Sequence, residues 1–368
     1  MNVLLFLIIL VSLIVVHELG HFAAAKWFGI RVDEFGLGFP PKLFGRKFGE
    51  TLYSINLIPF GGFVKIFGED GQTSAEAGVD TSRSFIHKHR LIQAAVLVAG
   101  VFMNVVAAWL ILSSAFLIGL PKDADSATAG SLRDVKATVV EIAPNSPAGE
   151  VGMLPGDHVL SIQTSAGASI EGDAGADALR AFIAEHSTET LSLTLEKGGE
   201  ARVVSATPSK DVVGSEGKAV LGVSLVDVGI LELPIHKALI AGAVLTYDVT
   251  IATAQGLGEF FTTLFRGKAD FSSVSGPVGI VGVVGQASDI GLVAVLTLAA
   301  VISINLAIIN LIPFPALDGG RLLIVGIEAA RRKAISPNLS LWLNAGGFIF
   351  LIGLMLIVTY HDIAKLFI

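Results

Sequence analysis

Long uncharged stretches alternate with charged ones along the chain and divide it into membrane and water-soluble parts. Four apolar segments are long enough to cross about 30 Å of hydrocarbon as helices, and they lie near residues 3–25, 92–120, 292–317 and 341–360. Residues 128–228 are richer in Asp, Glu, Ser, Thr and Gly and contain short runs typical of strands. The pattern predicts a polytopic α-helical membrane protein with about four transmembrane helices and an inserted α+β domain.

The inserted domain has recognisable turns between its predicted elements. Strands are predicted at 135–142, 159–162, 190–196 and 201–206, a helix at 177–185, and a hairpin turn at 197–200. The following segment, 234–265, is helical and moderately apolar. We expect it to lie on the membrane surface, because a fifth crossing would put one basic loop on the wrong side.

Residues 30–66 are apolar and glycine-rich although basic residues surround them. The segments 34–41 and 53–66 predict short strands around turns. Non-helical backbone at membrane depth requires protein or a water-filled cavity to satisfy its polar groups. We therefore expect membrane-associated β-hairpin elements that dip toward the first span. A surface hairpin unrelated to any site is the alternative.

Composition and charge support a membrane protein and set its orientation. The 368 residues are 52% hydrophobic and 15% charged, against about 25% charged in average soluble domains. Basic residues are concentrated between the first two spans and between the last two, so both loops should be cytoplasmic. Both termini and residues 121–291 then lie outside. Cysteine is absent, which excludes thiol chemistry, and the net charge of −7 indicates no nucleic-acid partner.

The first span carries the motif His17-Glu18-Leu19-Gly20-His21. On a helix, His17 and His21 lie one turn apart on the same face, which suits two imidazole ligands of Zn²⁺. Glu18 is placed to take a proton from a water that the metal activates. The orientation puts His17 roughly 21 Å from the outer end of its helix, toward the cytoplasm. Histidines that are buried and merely hydrogen-bonded to carbonyl groups are the alternative.

A catalytic zinc site needs a third protein ligand, and Asp318 is the best candidate. It ends the third span, in the segment Asn310-Leu311-Ile312-Pro313-Phe314-Pro315-Ala316-Leu317-Asp318-Gly319-Gly320. Two prolines of this segment break the helix, and two glycines permit tight turns. This span runs inward, so its broken end should reach the depth of His17. Asn310 can supply a neutral hydrogen-bond donor in the same cavity. A simple helix-exit turn is the alternative.

These motifs together resemble the site-2 protease family, also called peptidase family M50, and within it the bacterial RseP-type regulators of envelope stress. The resemblance covers nearly the whole chain, including 35–41, 59–65, 275–280 and the Pro-Asn-Ser-Pro-Ala and Leu-Pro-Gly-Asp segments of the inserted domain. It implies an intramembrane zinc metalloprotease with one Zn²⁺ held by His17, His21 and Asp318. Glu18 is then the catalytic base, and Asn310 helps to hold the substrate or the oxyanion.

The resemblance also implies that residues 128–228 form a circularly permuted PDZ domain and that 53–66 form a membrane-reentrant hairpin that pairs with substrate. Some relatives carry two PDZ domains, whereas this chain has room for one. The residues expected to contact substrate are Asn56, Gly61, Gly62, Val64, Pro313 and Pro315.

The expected division of the chain is 1–120, an N-terminal membrane region; 128–228, the extracytoplasmic PDZ domain; 229–291, an amphipathic helical region; and 292–368, a C-terminal membrane region. Expected partners are the lipid bilayer and single-span substrates such as anti-sigma-factor-like regulators and remnant signal peptides, in the bacterial inner membrane. The PDZ domain would act as a size filter or bind newly exposed carboxyl termini. Two rival functions are a non-catalytic PDZ scaffold and an anchored metalloprotease acting on soluble or misfolded segments.

Overall fold

The computed structural model describes residues 2–69, 81–124, 132–212, 215, 218–267, 276–333 and 335–365. The predicted start of the inserted domain at 128 and the first residue of the 275–280 motif lie outside these ranges. The helices are α1 Asn2–Trp27, α2 Arg90–Ile118, α3 Pro147–Glu150, α4 Ala176–Glu185, α5 Ile235–Phe265, α6 Pro277–Ile290, α7 Leu292–Leu311, α8 Asp318–Arg331 and α9 Pro337–Lys365. The strands are β1 Val32–Phe48, β2 Thr51–Ile66, β3 Leu120–Asp123, β4 Arg133–Ile142, β5 His158–Thr164, β6 Ser169–Glu171, β7 Leu191–Lys197, β8 Glu200–Ala206 and β9 Val223–Leu231.

Five helices within the described ranges are long and apolar enough to cross a membrane: α1, α2, α5, α7 and α9. Four of them occupy the predicted spans, which is compatible with a membrane protein. The fifth, α5, is the least apolar of the set. By length and composition α5 could also cross the membrane. The predicted number of four crossings is therefore not confirmed.

The third predicted span is shorter as a helix than expected. α7 ends at Leu311, whereas the sequence pattern extends to 317. Pro313 and Pro315 lack the N–H that a continuing helix would need. A new helix, α8, begins at Asp318, so the predicted ligand starts a helix rather than ending one.

The chain divides into two compact units. The first contains Met1–Leu112, Ala241–Gln286 and Val295–Ile368, and the second contains Ser113–Ile240 with Ala287–Ala294. Apolar clusters in the first unit join α1 to α6 and α7, and α2 to α7 and α5. Another cluster joins the end of α1 to β1 and β2 and also to the helices α2 and α8. These contacts bring α1, α2 and the start of α8 together.

The strands β1 and β2 form one bent antiparallel ribbon in the first unit. Its registers pair Phe35 with both Val64 and Tyr53, and they pair Arg46 with Tyr53 as well. Residues 32–37 thus lie between the 62–66 and 52–55 segments, and 42–48 lie on the far side. The two short predicted strands are parts of this longer ribbon. Within the described chain, 62–66 are paired on one side alone.

The second unit contains a seven-stranded sheet. Its strand order is β3-β9-β4-β5-β7-β8, and β6 pairs with β5. The predicted strands and helix of the inserted domain occur at β4, β5, β7, β8 and α4, and Gly198 and Gly199 form the predicted hairpin turn with positive φ. The first turn of α4 is capped by Asp227 of β9, whose carboxylate accepts a hydrogen bond from the Ala176 N–H over 2.8 Å. This bond joins the helix to the sheet.

Candidate metal centre

The helix α1 presents both histidines of the motif on one buried face. His17 and His21 are each 7% exposed. Their ring centroids are 4.8 Å apart and the rings are nearly perpendicular. The two Nε2 atoms are separated by 3.1 Å. The one-turn spacing in the sequence has therefore brought two ligand atoms to the same point.

The segment between α7 and α8 delivers Asp318 to the histidines. The chain folds back tightly there, since a methyl group at Gly319 would lie 2.2 Å from the Leu311 carbonyl oxygen and one at Gly320 would lie 2.1 Å from that of Phe314. Ala316 adopts a positive φ of 75°, and its N–H donates to Asn344 Oδ1 of α9 over 3.3 Å. Glycines at 319 and 320 thus permit a turn that side chains would block.

The three predicted ligands converge on one point. Asp318 Oδ2 lies 3.0 Å from His17 Nε2 and 3.2 Å from His21 Nε2. Two donors that are each about 2.0–2.1 Å from a tetrahedral zinc ion are separated by roughly 3.3 Å. The observed separations are close to that value. Two neutral imidazoles and one carboxylate, with no thiolate, are also a known donor set for catalytic zinc, so the residues present fit a Zn²⁺ ion.

Groups on α2 orient both imidazoles. His21 Nδ1 donates to the Val96 carbonyl oxygen over 2.8 Å, which leaves Nε2 as the lone-pair donor. The Asn104 amide lies 3.4 Å from His17 Nδ1 and is fully buried. The atom at this distance is Asn104 Nδ2, and Oδ1 is buried without a hydrogen-bond partner. With the amide rotated so that Oδ1 faces the ring, Asn104 would accept a hydrogen bond from Nδ1–H and leave His17 Nε2 free in the same way. Ser303 of α7 donates to the Asn104 carbonyl oxygen over 2.8 Å and joins α2 to α7.

Gly100 of α2 provides the space that the histidine pair occupies. A methyl group at this position would lie 2.3 Å from His21 Nε2 and 2.8 Å from His17 Cε1. Similarly, a methyl group at Gly20 of α1 would lie 2.3 Å from the Ala99 carbonyl oxygen. Both glycines allow the two helices to approach closely, as small residues do in membrane helices.

Sequence reasoning missed Val96, Gly100 and Asn104. The main-chain role of Val96 has no sequence signal. Asn104, however, is an amide within a long apolar helix, where polar groups are expected to be functional. Gly100 precedes it by one turn on the same face. These two residues could have been identified.

Glu18 lies beside the ligands and faces the ribbon. It is half-buried and directly follows His17 in α1. A methyl group at Gly62 would lie 3.6 Å from Glu18 Cγ and 3.1 Å from the Gly36 carbonyl oxygen. The 62–66 segment therefore runs past the carboxylate of the motif.

The other predicted site residues are distributed around this centre. Gly61 has a positive φ of 108° and packs against Phe39, and Val64 is paired with Phe35. Asn56 is buried and donates to the Gly38 carbonyl oxygen over 3.0 Å, so its amide braces the ribbon.

The remaining predicted residues lie near the break after α7. Asn310 is half-buried in the last turn of α7, and among the described residues its side chain has no hydrogen bond to the ligands. Pro313 and Pro315 lie in the turn before α8. A methyl group at Gly347 of α9 would lie 2.4 Å from the Pro315 carbonyl oxygen, so α9 packs closely against this turn.

An ion pair connects the ribbon to the helix that carries the third ligand. Glu69, just beyond β2, pairs with Arg321 in the first turn of α8. Both residues line a cavity of about 690 Å³, which Arg90, Glu328 and Asn344 also border. The ion pair thus connects the end of β2, which follows the 62–66 segment, to the turn of α8 that begins with Asp318.

Comparison with known proteins agrees with this centre. The model of peptidase family M50 matches residues 5–354. A Clostridium perfringens protein whose name includes "zinc metalloprotease" is 36% identical over 353 residues, which cover 96% of this chain and 95% of that protein. Zinc metalloprotease RasP of Shouchella clausii is 31% identical, and the match covers 100% of this chain and 100% of that protein. Regulator of sigma-W protease RasP of Bacillus subtilis is 30% identical, with 100% of this chain and 99% of the relative covered.

The family model spans most of the chain, including the part of α1 that carries the two histidines and the α7–α8 turn. The resemblance drawn from the sequence motifs is therefore confirmed. The chain belongs to peptidase family M50 and is a zinc-dependent metalloendopeptidase of the membrane.

Proposed function

We propose that this protein cleaves peptide bonds within the transmembrane segments of single-span membrane proteins. The observation that carries the proposal is the location of the motif. His17, Glu18 and His21 belong to a helix of membrane length, and the two histidines are buried against α2. Intramembrane ionisable residues are costly and are retained for function.

His17, His21 and Asp318 would hold one zinc ion. When bound, Zn²⁺ supplies a Lewis acid that acidifies water and polarises the scissile carbonyl group. Glu18 accepts the proton of the attacking water and returns it to the leaving amine as a general base and acid. Asn310 donates a hydrogen bond to the carbonyl oxygen as charge develops on it.

The free side of residues 62–66 would hold the substrate. A transmembrane helix satisfies its carbonyl groups internally, so the cleaved segment must first unwind. An extended segment can then add to the ribbon as a strand, with Gly61, Gly62 and Val64 opposite it. Gly62 lies next to Glu18, so strand addition there brings a peptide bond to the base. Asn56, Pro313 and Pro315 would shape the ends of this groove.

Substitution of Gly62 tests the substrate strand. Gly62→Val introduces bulk beside Glu18, so we expect a lower kcat/KM for a single-span substrate while zinc content is unchanged. Gly45→Ala, on the opposite strand of the same ribbon, is the control. There a methyl group would lie 3.3 Å from the flexible side chains of Leu52 and Lys42 and 3.7 Å, an ordinary contact distance, from the Tyr53 carbonyl oxygen. Equal kcat/KM for the two variants would contradict strand addition at 62–66.

The positive-inside rule supports the orientation. Both termini and the second unit would be extracytoplasmic, and the zinc site would lie toward the cytoplasmic side of the bacterial inner membrane. In this arrangement α5 lies along the outer surface. Of the five candidate spans α5 is the least apolar, which is in keeping with a surface position.

We further infer that residues 128–228 form a single PDZ domain that binds peptide ends. Support comes from a cavity of about 640 Å³ in the second unit, between α4 and the start of β9. Ile183 and Leu225 contribute apolar surface to it, and Arg180 and Lys218 contribute cations. Apolar pockets beside cations suit a carboxyl terminus that an earlier cleavage has exposed. This favours end binding over a purely steric size filter.

The physiological substrates would be anti-sigma-factor-like regulators and remnant signal peptides, in regulated intramembrane proteolysis. The name of the Bacillus subtilis relative, a regulator of sigma-W protease, is in keeping with this role. In this proposal, residues 229–291 form a helical region on the outer surface of the membrane. Residues 292–368 form the C-terminal membrane region.

Mapping of the cleavage site tests the proposal against its rivals. The purified full chain is reconstituted with a single-span substrate, and the products are sequenced by mass spectrometry. We expect a cut within the apolar segment, and faster cleavage when Leu residues of that segment are replaced by Gly, which weakens a helix. A cut confined to the soluble part would favour the anchored metalloprotease. The absence of any cut that depends on His17 would favour the scaffold.

A further inference from the structure

The far side of the ribbon exposes large apolar side chains to its surroundings. We call residues 42–56, the two segments joined by the turn at 49–50, the outer hairpin. Leu43 and Phe44 are each 63% exposed and Phe48 is 79% exposed. Tyr53 and Ile55 of the paired segment are exposed as well. Such a cluster of exposed apolar side chains marks an interaction surface.

Cations alternate with these apolar side chains. Lys42, Arg46 and Lys47 are exposed, and no acidic residue occurs from 35 to 49. Glu50 in the turn is already engaged by Arg83 and Lys26, at 2.7 and 2.6 Å. In the ranges that the structure describes, the three cations have no ion pair. They are therefore available to an anionic partner.

The outer hairpin lies at the level where α1 ends. Lys26 is in the last turn of α1, so its ion pair with Glu50 brings the turn of the hairpin to that end. Twenty-six residues of helix span roughly 39 Å, which exceeds the hydrocarbon thickness of about 30 Å. Trp27, at the end of α1, is 87% exposed and is the residue type enriched at headgroup level.

We propose that the outer hairpin docks on anionic phospholipid headgroups of the membrane in which the protein sits. Lys42, Arg46 and Lys47 contact the lipid phosphates, and Leu43, Phe44 and Phe48 enter the boundary between headgroups and acyl chains. Cations alone could protect a strand edge from aggregation. That role does not account for exposed Leu and Phe side chains between them. Docking of the outer hairpin would hold the ribbon against the membrane surface, and the opposite edge of the same ribbon, residues 62–66, passes Glu18.

Lipid nanodiscs provide the test, and the absence of cysteine makes labelling specific. Leu43→Cys in the full chain is spin-labelled and placed in discs of phosphatidylcholine alone or with 30 mol% phosphatidylglycerol. Accessibility to oxygen and to a water-soluble nickel complex reports the depth of the label. We expect the anionic discs to raise the oxygen-to-nickel ratio severalfold. Ser165→Cys, on an exposed turn of the second unit, should not respond.

Removal of the cations identifies their contribution. Lys42→Gln/Arg46→Gln/Lys47→Gln should abolish the difference between the two lipid mixtures, since each cation near an anionic surface changes the docked-to-free ratio roughly fivefold. Lys42→Arg/Lys47→Arg keeps the charge and should retain the difference. Zinc content of each variant reports that the chain is folded.

Three outcomes would overturn the proposal. The label could be equally accessible to nickel in both lipid mixtures. The response to phosphatidylglycerol could persist in the triple Gln variant. Protection could instead occur only in discs that hold two protein copies, which would identify a second copy of this chain as the occupant. Proteolytic activity enters none of these measurements, so their result is independent of the proposed function.

Discussion

At Gly100, the absence of a side chain decides whether the two histidines can converge. α2 packs directly against the imidazole rings, and a methyl group there would overlap His21 Nε2, the atom that would bind zinc. Val96 and Asn104, one turn before and one turn after on the same helix face, contact the other ring nitrogens. The second helix therefore orients ligands that the first helix supplies.

Gly100→Ala should weaken zinc binding without unfolding the protein. The added methyl group forces His21 out of position, and loss of ligand orientation typically costs 10–100-fold in metal affinity or activity. Zinc affinity measured by competition with a chelator checks this. Gly256→Ala in α5, where a methyl group meets open space, is the control. Wild-type affinity in Gly100→Ala would contradict the role assigned to α2.

Sequence alone was enough to predict which three side chains converge, because the signals for them are local. His17 and His21 share a helical face, and the two prolines before Asp318 indicate a break in an apolar segment. The contribution of α2 depends on which face of that helix packs against α1, and an almost uniformly apolar helix gives no such information. The expected contact of Asn56 with substrate stays a prediction, and the structure adds a hydrogen bond from its amide within the ribbon.

At the scale of elements, ion pairs connect two ends of the ribbon to different neighbours, one to α8 and the other to α1 and Arg83. Glu69 joins the end of β2 to Arg321 of α8, close to Asp318. Glu50 joins the turn of the hairpin to α1 and to Arg83. The sequence predicted strands in this region. It could not predict that one bent ribbon would pair with itself in several registers, since register depends on long-range contacts.

The Glu69–Arg321 pair should affect catalysis more than zinc binding. Glu69→Gln frees α8 from the ribbon, and small displacements of reacting groups can cost up to about 100-fold in rate. We expect roughly a 10-fold lower kcat with unchanged zinc content. The exchanged pair Glu69→Arg/Arg321→Glu should recover part of the activity. Full activity of Glu69→Gln would show that the contact does not position the site.

The Glu50 cluster should make stability depend on pH. Hydrogen bonds from Arg83 and Lys26 lower the pKa of Glu50 from 4.5 to about 2. Because the folded pKa lies below the unfolded one, the stabilisation is complete above pH 4.5 and is lost as the pH falls toward 2. Glu50→Gln should thus lower the unfolding midpoint in detergent at pH 7 by about 2 °C.

The difference between wild type and Glu50→Gln should then shrink at pH 3. The matched control is Glu259→Gln in α5, since the Glu259 side chain has no ion pair among the described residues. A difference that is the same at pH 3 and pH 7 would rule out the ionised Glu50 as its source.

At the scale of the whole molecule, the chain combines a first unit, which contains the three predicted zinc ligands, with a second unit built on a seven-stranded sheet. Four spans were predicted from apolar length, and five helices meet the criterion. Apolar length cannot distinguish a surface helix from a crossing when polar residues such as Asp248 and Thr250 interrupt the segment. Leu245 and Val249 of α5 pack against a cluster formed by α2 and α7. The position of α5 thus stays a prediction.

Cleavage of a single-span substrate should depend on Glu18 as the base, and the turnover of such a substrate by Glu18→Gln measures this dependence. Gln keeps the size of the side chain but cannot accept the proton, and general-base catalysis contributes about 10²–10⁴-fold. We predict that the reconstituted variant retains zinc at the wild-type level while its cleavage rate falls at least about 100-fold. An unchanged cleavage rate would contradict the account.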